Sequence, residues 1–273
     1  MKHESQYGKA MNEVSDPVVS TKGHGLIALR ALVDSKDAET LKCFEDVFST
    51  AEALLFHDDS YIYLSAINLC VALGDRQPKK VIPVLLRQFC RTDSVSKQSC
   101  PGIMKPEIIL NVGEALVQVC RKLGDLAPFY GNAMIDRFLL LYKSATDDEF
   151  IRSSALTNLA EICSLMSYKI QSSIQEILMV ISLALEQDTH AVVRQAAVNL
   201  LRRILEGSNT NMLRIFGDVI LSIYRIVKYC GFQDPDDAVR LHAAICRDTI
   251  ASNLKEIVDA EFAASIREIN MNR

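Results

Sequence analysis

Tryptophan is absent from the 273-residue chain, and glycine and proline are scarce, with eleven and seven copies. So little punctuation excludes the many tight turns of an all-β sandwich or barrel, and strict apolar–polar alternation is missing as well. No C-x-x-C pair occurs among the eight cysteines at 43, 70, 90, 100, 120, 163, 230 and 246, which removes zinc ribbons and thioredoxin-type redox motifs. The longest uncharged apolar run, in Ile177–Leu185, is about half of what a membrane-spanning helix needs. The opening Met1-Lys2-His3-Glu4-Ser5-Gln6 has no apolar stretch of the kind a secretory signal carries, so a soluble protein without a transmembrane segment is expected. A surplus of positive charge is missing too. With 30 Lys and Arg against 34 Asp and Glu, the net charge is −4 and the isoelectric point about 5.8. A general electrostatic grip on nucleic acid wants a basic face, and no direct nucleic-acid partner is expected.

What the chain does have is apolar mass. Hydrophobic residues make up 49% and charged residues 23%, enough for a core and outside the disordered class. Most cysteines sit inside apolar helical stretches, such as Asn68-Leu69-Cys70-Val71 and Glu161-Ile162-Cys163. They read as reduced, packed residues of a cytosolic or nuclear protein.

The organising feature is a helical motif written twice in 144–206. Ile151-Arg152-x-x-Ala155 followed by Asn158-Leu159 returns as Val193-Arg194-x-x-Ala197 followed by Asn199-Leu200, and Ala155 and Ala197 are 42 residues apart. That is the period of HEAT and armadillo arrays, built from stacked helix pairs. Asp234-Pro235-Asp236-Asp237-Ala238-Val239-Arg240-Leu241-His242-Ala243 is a third copy. Asp58-Asp59-Ser60-Tyr61-Ile62-Tyr63-Leu64-Ser65-Ala66, the degenerate Ile109-Leu110-Asn111-Val112-Gly113 and Asp16-Pro17 through Gly25 complete the series. The small residues Gly25, Ala66, Gly113, Ala155, Ala197 and Ala243 recur at intervals of 41, 47, 42, 42 and 46. The expected architecture is an all-α, right-handed α-solenoid of about six HEAT/ARM-like hairpins. Repeats fall near 16–56, 57–90, 107–143, 147–187, 188–231 and 234–270. Residues 1–15 are expected to be flexible and 16–273 to form one domain. The polar, Pro- and Gly-containing stretch 91–106 is expected as an inserted loop.

In such an array the first (A) helix of each pair packs closely on its neighbours. The six small residues are expected to form the seam where backbones approach at the short end of the usual interaxial range. Acid and base recur with them: Asp16 and Lys22, Asp188 and Arg194, and Asp234 and Arg240 are six apart, Asp147 and Arg152 five. The acid falls in a turn where it can cap a helix. The base, one and a half turns inside, can bridge to its own acid or to the next repeat's, giving a structural ladder. Tyr63 and Leu110 replace the base in the second and third copies, which predicts an interruption there. The second (B) helices are expected near 37–56, 78–90, 126–143, 169–186, 210–230 and 253–269. Pro78 and Pro128 stand near their starts, and Gly74, Gly124 and Gly207 near helix ends.

The stretches Lys22–Leu32, His57–Ile67, Ile151–Cys163 and Asp234–Ala243 together resemble the C-terminal region of transport and Golgi organisation protein 6. That family includes the RNA polymerase II assembly and nuclear-import factors, and the resemblance runs in order over about 16–252. It implies a non-enzymatic helical scaffold or adaptor with no cofactor. The implied partners are RNA polymerase II subunits and nuclear transport or trafficking machinery. The implied location is cytoplasmic with shuttling to the nucleus; the alternative is a Golgi-organisation and secretion scaffold at Golgi membranes. Family members are usually much longer than this chain.

Sites of other classes find little support. His242 and Cys246 share a helix face but lack the second pair that structural zinc needs. His24 has no nucleophile at a usable spacing, and Gly23-x-Gly25 lacks the third glycine and the preceding strand of a phosphate loop. No catalytic, cofactor or metal residue is assigned; a bound metal or a deep polar pocket would favour an enzyme instead. Candidate partner-facing charges are Arg76, Lys79 and Lys80, suited to an acidic segment, and Asp148 and Asp236, which with the other motif acids suit a basic one.

Overall fold

The structure is a computed structural model. It describes residues 5–89, 106–145, 147–206, 216 and 219–271; of 106, 108, 167–168 and 256–271 only the backbone is described. Every regular element among the described residues is helical. The chain divides into two compact units, residues 1–130 and 131–273, where the repeat pattern alone had suggested one domain.

The first unit opens with α1 (Gln6–Ser15) and α2 (Val19–Asp34), followed by the short α3 (Ala38–Lys42) and α4 (Phe44–Leu54). Then come α5 (Ser60–Arg76), α6 (Pro78–Phe89) and α7 (Pro106–Leu123). The A helices α2, α5 and α7 pack in that order, with α4 against α5 and α6 against both α5 and α7. The expectation of a flexible 1–15 is corrected from residue 6 onward. Ser5 caps α1 by accepting the Gly8 N–H at 3.0 Å, and Ala10 and Val14, one turn apart, are buried. Gly25 is what lets α1 dock on α2: a Cβ there would lie 2.7 Å from the Val14 backbone nitrogen and 2.8 Å from the Ala10 carbonyl oxygen. The expected single helix over 37–56 breaks at Cys43, whose backbone (φ −92°, ψ 27°) leaves the helical region. Gly74 lies in the last turn of α5, near the helix end as expected. Its missing side chain makes room for Val119 of α7, whose Cγ atoms would come within 2.8 Å of an added Cβ.

The division into units falls in the first turn of α8 (Pro128–Ser144). The second unit continues with α9 (Glu149–Met166), α10 (Ile174–Gln187) and α11 (Ala191–Glu206). It closes with α12 (Val219–Gln233) and α13 (Asp237–Met271). The A helices α9, α11 and α13 pack side by side in that order, with α10 and α12 as the second layer. The expected separate helix at 253–269 is corrected, because α13 runs on through it without a break. Gly124 takes φ +52° just past α7, where a left-handed residue ends a helix. Gly207, Cys90 and residues 91–105 of the expected loop lie outside the described residues, and Pro106 already belongs to α7.

Candidate functional site

Each expected seam residue lies on an A helix and is buried: Gly25 on α2, Ala66 on α5, Gly113 on α7, Ala155 on α9, Ala197 on α11 and Ala243 on α13. Between them the recurring charges do two jobs at once. Arg152 sends its Nε to Asp188 Oδ2 at 2.8 Å and its Nη2 to Oδ1 at 3.3 Å, while Nη1 donates back to the Ala145 carbonyl at 3.1 Å. Arg194 does the same one repeat later. Its Nε and Nη2 meet Asp234 Oδ2 and Oδ1 at 2.8 and 3.0 Å, and Nη1 donates to the carbonyls of Asp188 and Thr189 at 3.0 Å each. A planar fork of donors suits this two-point grip. Each arginine thus closes the turn before its own helix and holds the acid of the following repeat.

The acids have a matching local role. Asp16, Asp188 and Asp234 each accept the backbone N–H two residues on, at 2.7, 2.9 and 2.9 Å, the hydrogen bond that shapes an Asx turn. Both pairs in the second unit are buried; the Arg194 and Asp234 side chains are 8% and 5% exposed. Burial by itself would raise the Asp188 carboxyl, yet the hydrogen bonds from Arg152 and the His190 backbone hold it below its ordinary value. The hydrogen bond to Asp234 likewise raises Arg194 further, against the opposing effect of burial.

Three ladder assignments need correction. Asp147 is exposed, and the helix is capped by Asp148, which accepts from Phe150 and Ile151 N–H at 2.9 Å each. The spacing of five to Arg152 pointed at the wrong one of two adjacent aspartates. No ion pair between Lys22 and Asp16 occurs among the described residues, where Asp16 accepts the Val18 N–H instead. Arg240 instead turns back within its own repeat, to the Asp234 carbonyl at 2.6 Å and to the Asp237 carboxylate on its own helix. In the first unit Tyr63 and Leu110 stand where an arginine would. Other links join its layers: Arg76 Nη2 to the Asp34 carbonyl at 3.0 Å, Asn111 Nδ2 to the Leu55 carbonyl at 3.2 Å, and Lys80 to Glu45 at 2.6 Å.

Most of the charges considered for a partner are therefore engaged within the chain. Arg76 and Lys80 make the contacts just given, and Lys80 also lies 5.4 Å from the Phe44 ring centroid. Asp148 is a helix cap. Asp236 accepts from Gln195 Nε2 and from the Val239 N–H at 2.9 Å each, and these bonds hold its carboxyl below the usual range. Lys79 is exposed.

The second unit also carries an open groove that the repeat motif alone does not mark. A groove of about 410 Å³ crosses the outer face of α9, α11 and α13, lined by Ser153, Thr157, Val192, Gln195, Ala196, Asn199, Ala238 and His242. Helical geometry puts it there. Residues two before and two after a buried seam residue lie about 160° round the helix from it, which selects Ser153 and Thr157 around Ala155, and Gln195 and Asn199 around Ala197. The same offset of 42 that revealed the seam could have revealed this row. Cys246 is buried, with its Sγ 3.7 Å from the Val198 carbonyl oxygen. Among the described residues no group of three or more His, Cys, Asp or Glu side chains could hold a metal, and no helix is long and apolar enough to cross a membrane.

These features define an all-α helical-repeat protein of the HEAT/armadillo kind, and solved structures agree. A designed armadillo repeat protein superposes with a TM-score of 0.51 over 89% of this chain and 98% of that chain, at 16% identity. Kap121p does so with a TM-score of 0.61 over 91% of this chain and 23% of that one, at 12% identity. At such identities the likeness concerns the fold alone. Residues 7–126 match the family model described as "Required for nuclear transport of RNA pol II C-terminus 1". "Transport and Golgi organization protein 6" of Drosophila melanogaster is 27% identical over 222 residues, 81% of this chain and 23% of its own length. "RNA polymerase II assembly factor rtp1" of Schizosaccharomyces pombe is 25% identical over 235 residues, 86% of this chain and 27% of its own. The resemblance drawn from the repeat motifs is thus found again by direct comparison. The chain spans about a quarter of the length of these two relatives.

Proposed function

We propose that this chain is a non-enzymatic scaffold that binds proteins in the assembly and nuclear import of RNA polymerase II. The observation that carries this reading is the match of residues 7–126 to a model whose description names nuclear transport of RNA polymerase II. The relative described as a polymerase II assembly factor, aligned over 86% of the chain, supports it further. A helical array suits the task physically, because stacked hairpins present a long surface whose parts vary independently while the buried layer stays fixed. The corresponding location is the cytoplasm with passage into the nucleus. Affinity purification of the tagged chain from cell extract, followed by mass spectrometry, tests the proposal. Polymerase II subunits should be enriched over an unrelated helical-repeat control.

A second reading is favoured by the Drosophila relative, whose description names transport and Golgi organisation. Under it the same purification would return coat or tethering components and leave polymerase subunits at background.

A further inference from the structure

Two ladder residues keep only half of the role their counterparts play, and the two halves are complementary. Arg152 and Arg194 each close the turn before their own helix and also hold the acid of the following repeat. Arg240 of α13 keeps the first task. Its Nη1 donates to the Asp234 carbonyl, as that of Arg194 does to the Asp188 carbonyl. Yet its side chain is 37% exposed, against 10% and 8% for Arg152 and Arg194, and among the described residues its only acid is Asp237, itself 90% exposed. Asp16, ahead of α2, is the mirror case. It accepts the Val18 N–H at 2.7 Å, as Asp188 and Asp234 accept theirs. It is half-buried where the Asp188 and Asp234 side chains are buried, and it meets no basic group among the described residues.

The helix faces beside these two residues match as well. With Gly25 aligned on Ala243, Asp16 falls on Asp234, Thr21 on Val239 and Ala28 on Cys246. Val239 and Cys246 are buried on the side of α13 that faces α11, where the Cys246 Sγ lies 3.7 Å from the Val198 carbonyl oxygen. Thr21 and Ala28 are only half-buried on α2. In the other direction, Val198 and Leu205 of α11 are buried. Their equivalents on α13 are Ala244, half-buried, and Ala251, exposed. Both open faces carry small side chains, which lets two helices approach closely. A second-layer helix for such a junction is already in place, because α1 precedes α2 and packs on it as α12 does on α13.

We propose that a second copy of this chain docks head to tail on this one, α13 of one copy against α2 of the next, with Arg240 gripping Asp16 of the second copy. The Nε and Nη2 edge of Arg240 leaves Asp237, an exposed contact on its own helix that is worth little. It takes instead a carboxylate already held in place by its Asx turn, in the two-point geometry a guanidinium favours. The result is one more rung of the kind formed by Arg194 and Asp234. Two different faces meet, so each added copy brings a fresh Arg240 and a fresh Asp16, and the contact propagates into a ring or a filament. Self-association of this kind is separate from the capture of polymerase subunits proposed above, and neither depends on the other.

Sedimentation equilibrium of the full chain, over about a hundredfold range of concentration, tests this. The wild-type average mass should rise with concentration above the monomer's 30.4 kDa. Asp16→Asn keeps an acceptor for the Val18 N–H and loses the charge; Arg240→Gln keeps a donor for the Asp234 carbonyl and loses the fork. Each should weaken self-association at least about tenfold. Mixed one to one, the two variants retain a single intact junction, Arg240 of the first with Asp16 of the second. The mixture should therefore form a species of twice the monomer mass and nothing larger. That recovery also shows that both variants are folded, and circular dichroism of each alone checks it independently. A wild type that stays monomeric throughout overturns the proposal. So do single variants that associate as the wild type does, and so does a mixture of folded variants that stays monomeric.

Discussion

Replacing Arg194 by methionine should destabilise the second unit severely, and the structure says by how much. The guanidinium makes four hydrogen bonds, two to the Asp234 carboxylate and two to backbone carbonyls. Without it Asp234, with its side chain 5% exposed, keeps the Asp236 N–H but loses its counter-charge. Removing one partner of a buried pair costs about 3–5 kcal/mol. For a chain of this size that corresponds to a fall in Tm of about 6–20 °C. The Lys143–Glu176 pair supplies an internal control, since both side chains are about half exposed; Lys143→Met should change stability by less than about 1 kcal/mol. Thermal unfolding by circular dichroism reads the size, and amide hydrogen exchange reads the place: protection should fall on α11 and α13 and persist in α2 and α5. Adding Asp234→Asn to Arg194→Met removes the stranded charge, so the double-mutant cycle should show a coupling of about 0.5–3 kcal/mol. A melt shifted by under 2 °C, or strictly additive effects of the two substitutions, would refute the reasoning.

The other predictions concern the seam, the turns and the thiols. Ala197→Arg or Ala155→Phe should overpack a fully buried position and cost on the order of 1–3 kcal/mol or more, read as a lowered Tm; unchanged melts would misplace the seam. Gly25→Ala should push α1 off α2 because the clash is with backbone, and hydrogen exchange should then quicken in residues 6–15 while α5 stays protected. For Asp188 the folded carboxyl lies below its ordinary value, so its stabilisation is complete above about pH 4 and disappears as pH falls through the depressed value. Acid unfolding curves should therefore show Asp188→Asn weaker than wild type at pH 7, with the gap closing below about pH 4. Burial pushes the thiols of Cys120 and Cys230 up to about 11 and those of Cys163 and Cys246 up to about 12. Among the described cysteines the half-buried Cys43 should be the first alkylated by iodoacetamide at pH 8, as peptide mass spectrometry would report.

Much of this could be read in the residues, and what escaped did so for physical reasons. A period of 42 is visible because each turn of the array needs the same small residue and the same guanidinium reach, so Ala155, Ala197, Arg152 and Arg194 had to recur. Adjacent aspartates defeat spacing arguments: either Asp147 or Asp148 could cap α9, and the structure selects Asp148. The helix over 6–15 is mostly polar, and its order comes from docking Ala10 and Val14 against Gly25, a tertiary contact that local pattern does not reveal. The break at Cys43 is invisible for the same reason. Asn199 and Gln195 carried a readable signal, since they flank Ala197 at equal distance. Their partners were only half readable, because Arg202 is close in sequence while Asp236 comes from the turn before the next A helix.

Regular stacking of α9, α11 and α13 underlies both the groove and the ladder, and one distance tests it. Spin labels at Thr157→Cys and Ile245→Cys, with Cys43, Cys90 and Cys100 replaced by serine, sit at equivalent outer positions of α9 and α13, two helix steps apart. With each step near the usual interaxial distance, double electron–electron resonance should give a single narrow peak at about 20 Å. A broad distribution, or a peak beyond about 30 Å, would contradict the stacking and with it the groove and the ladder.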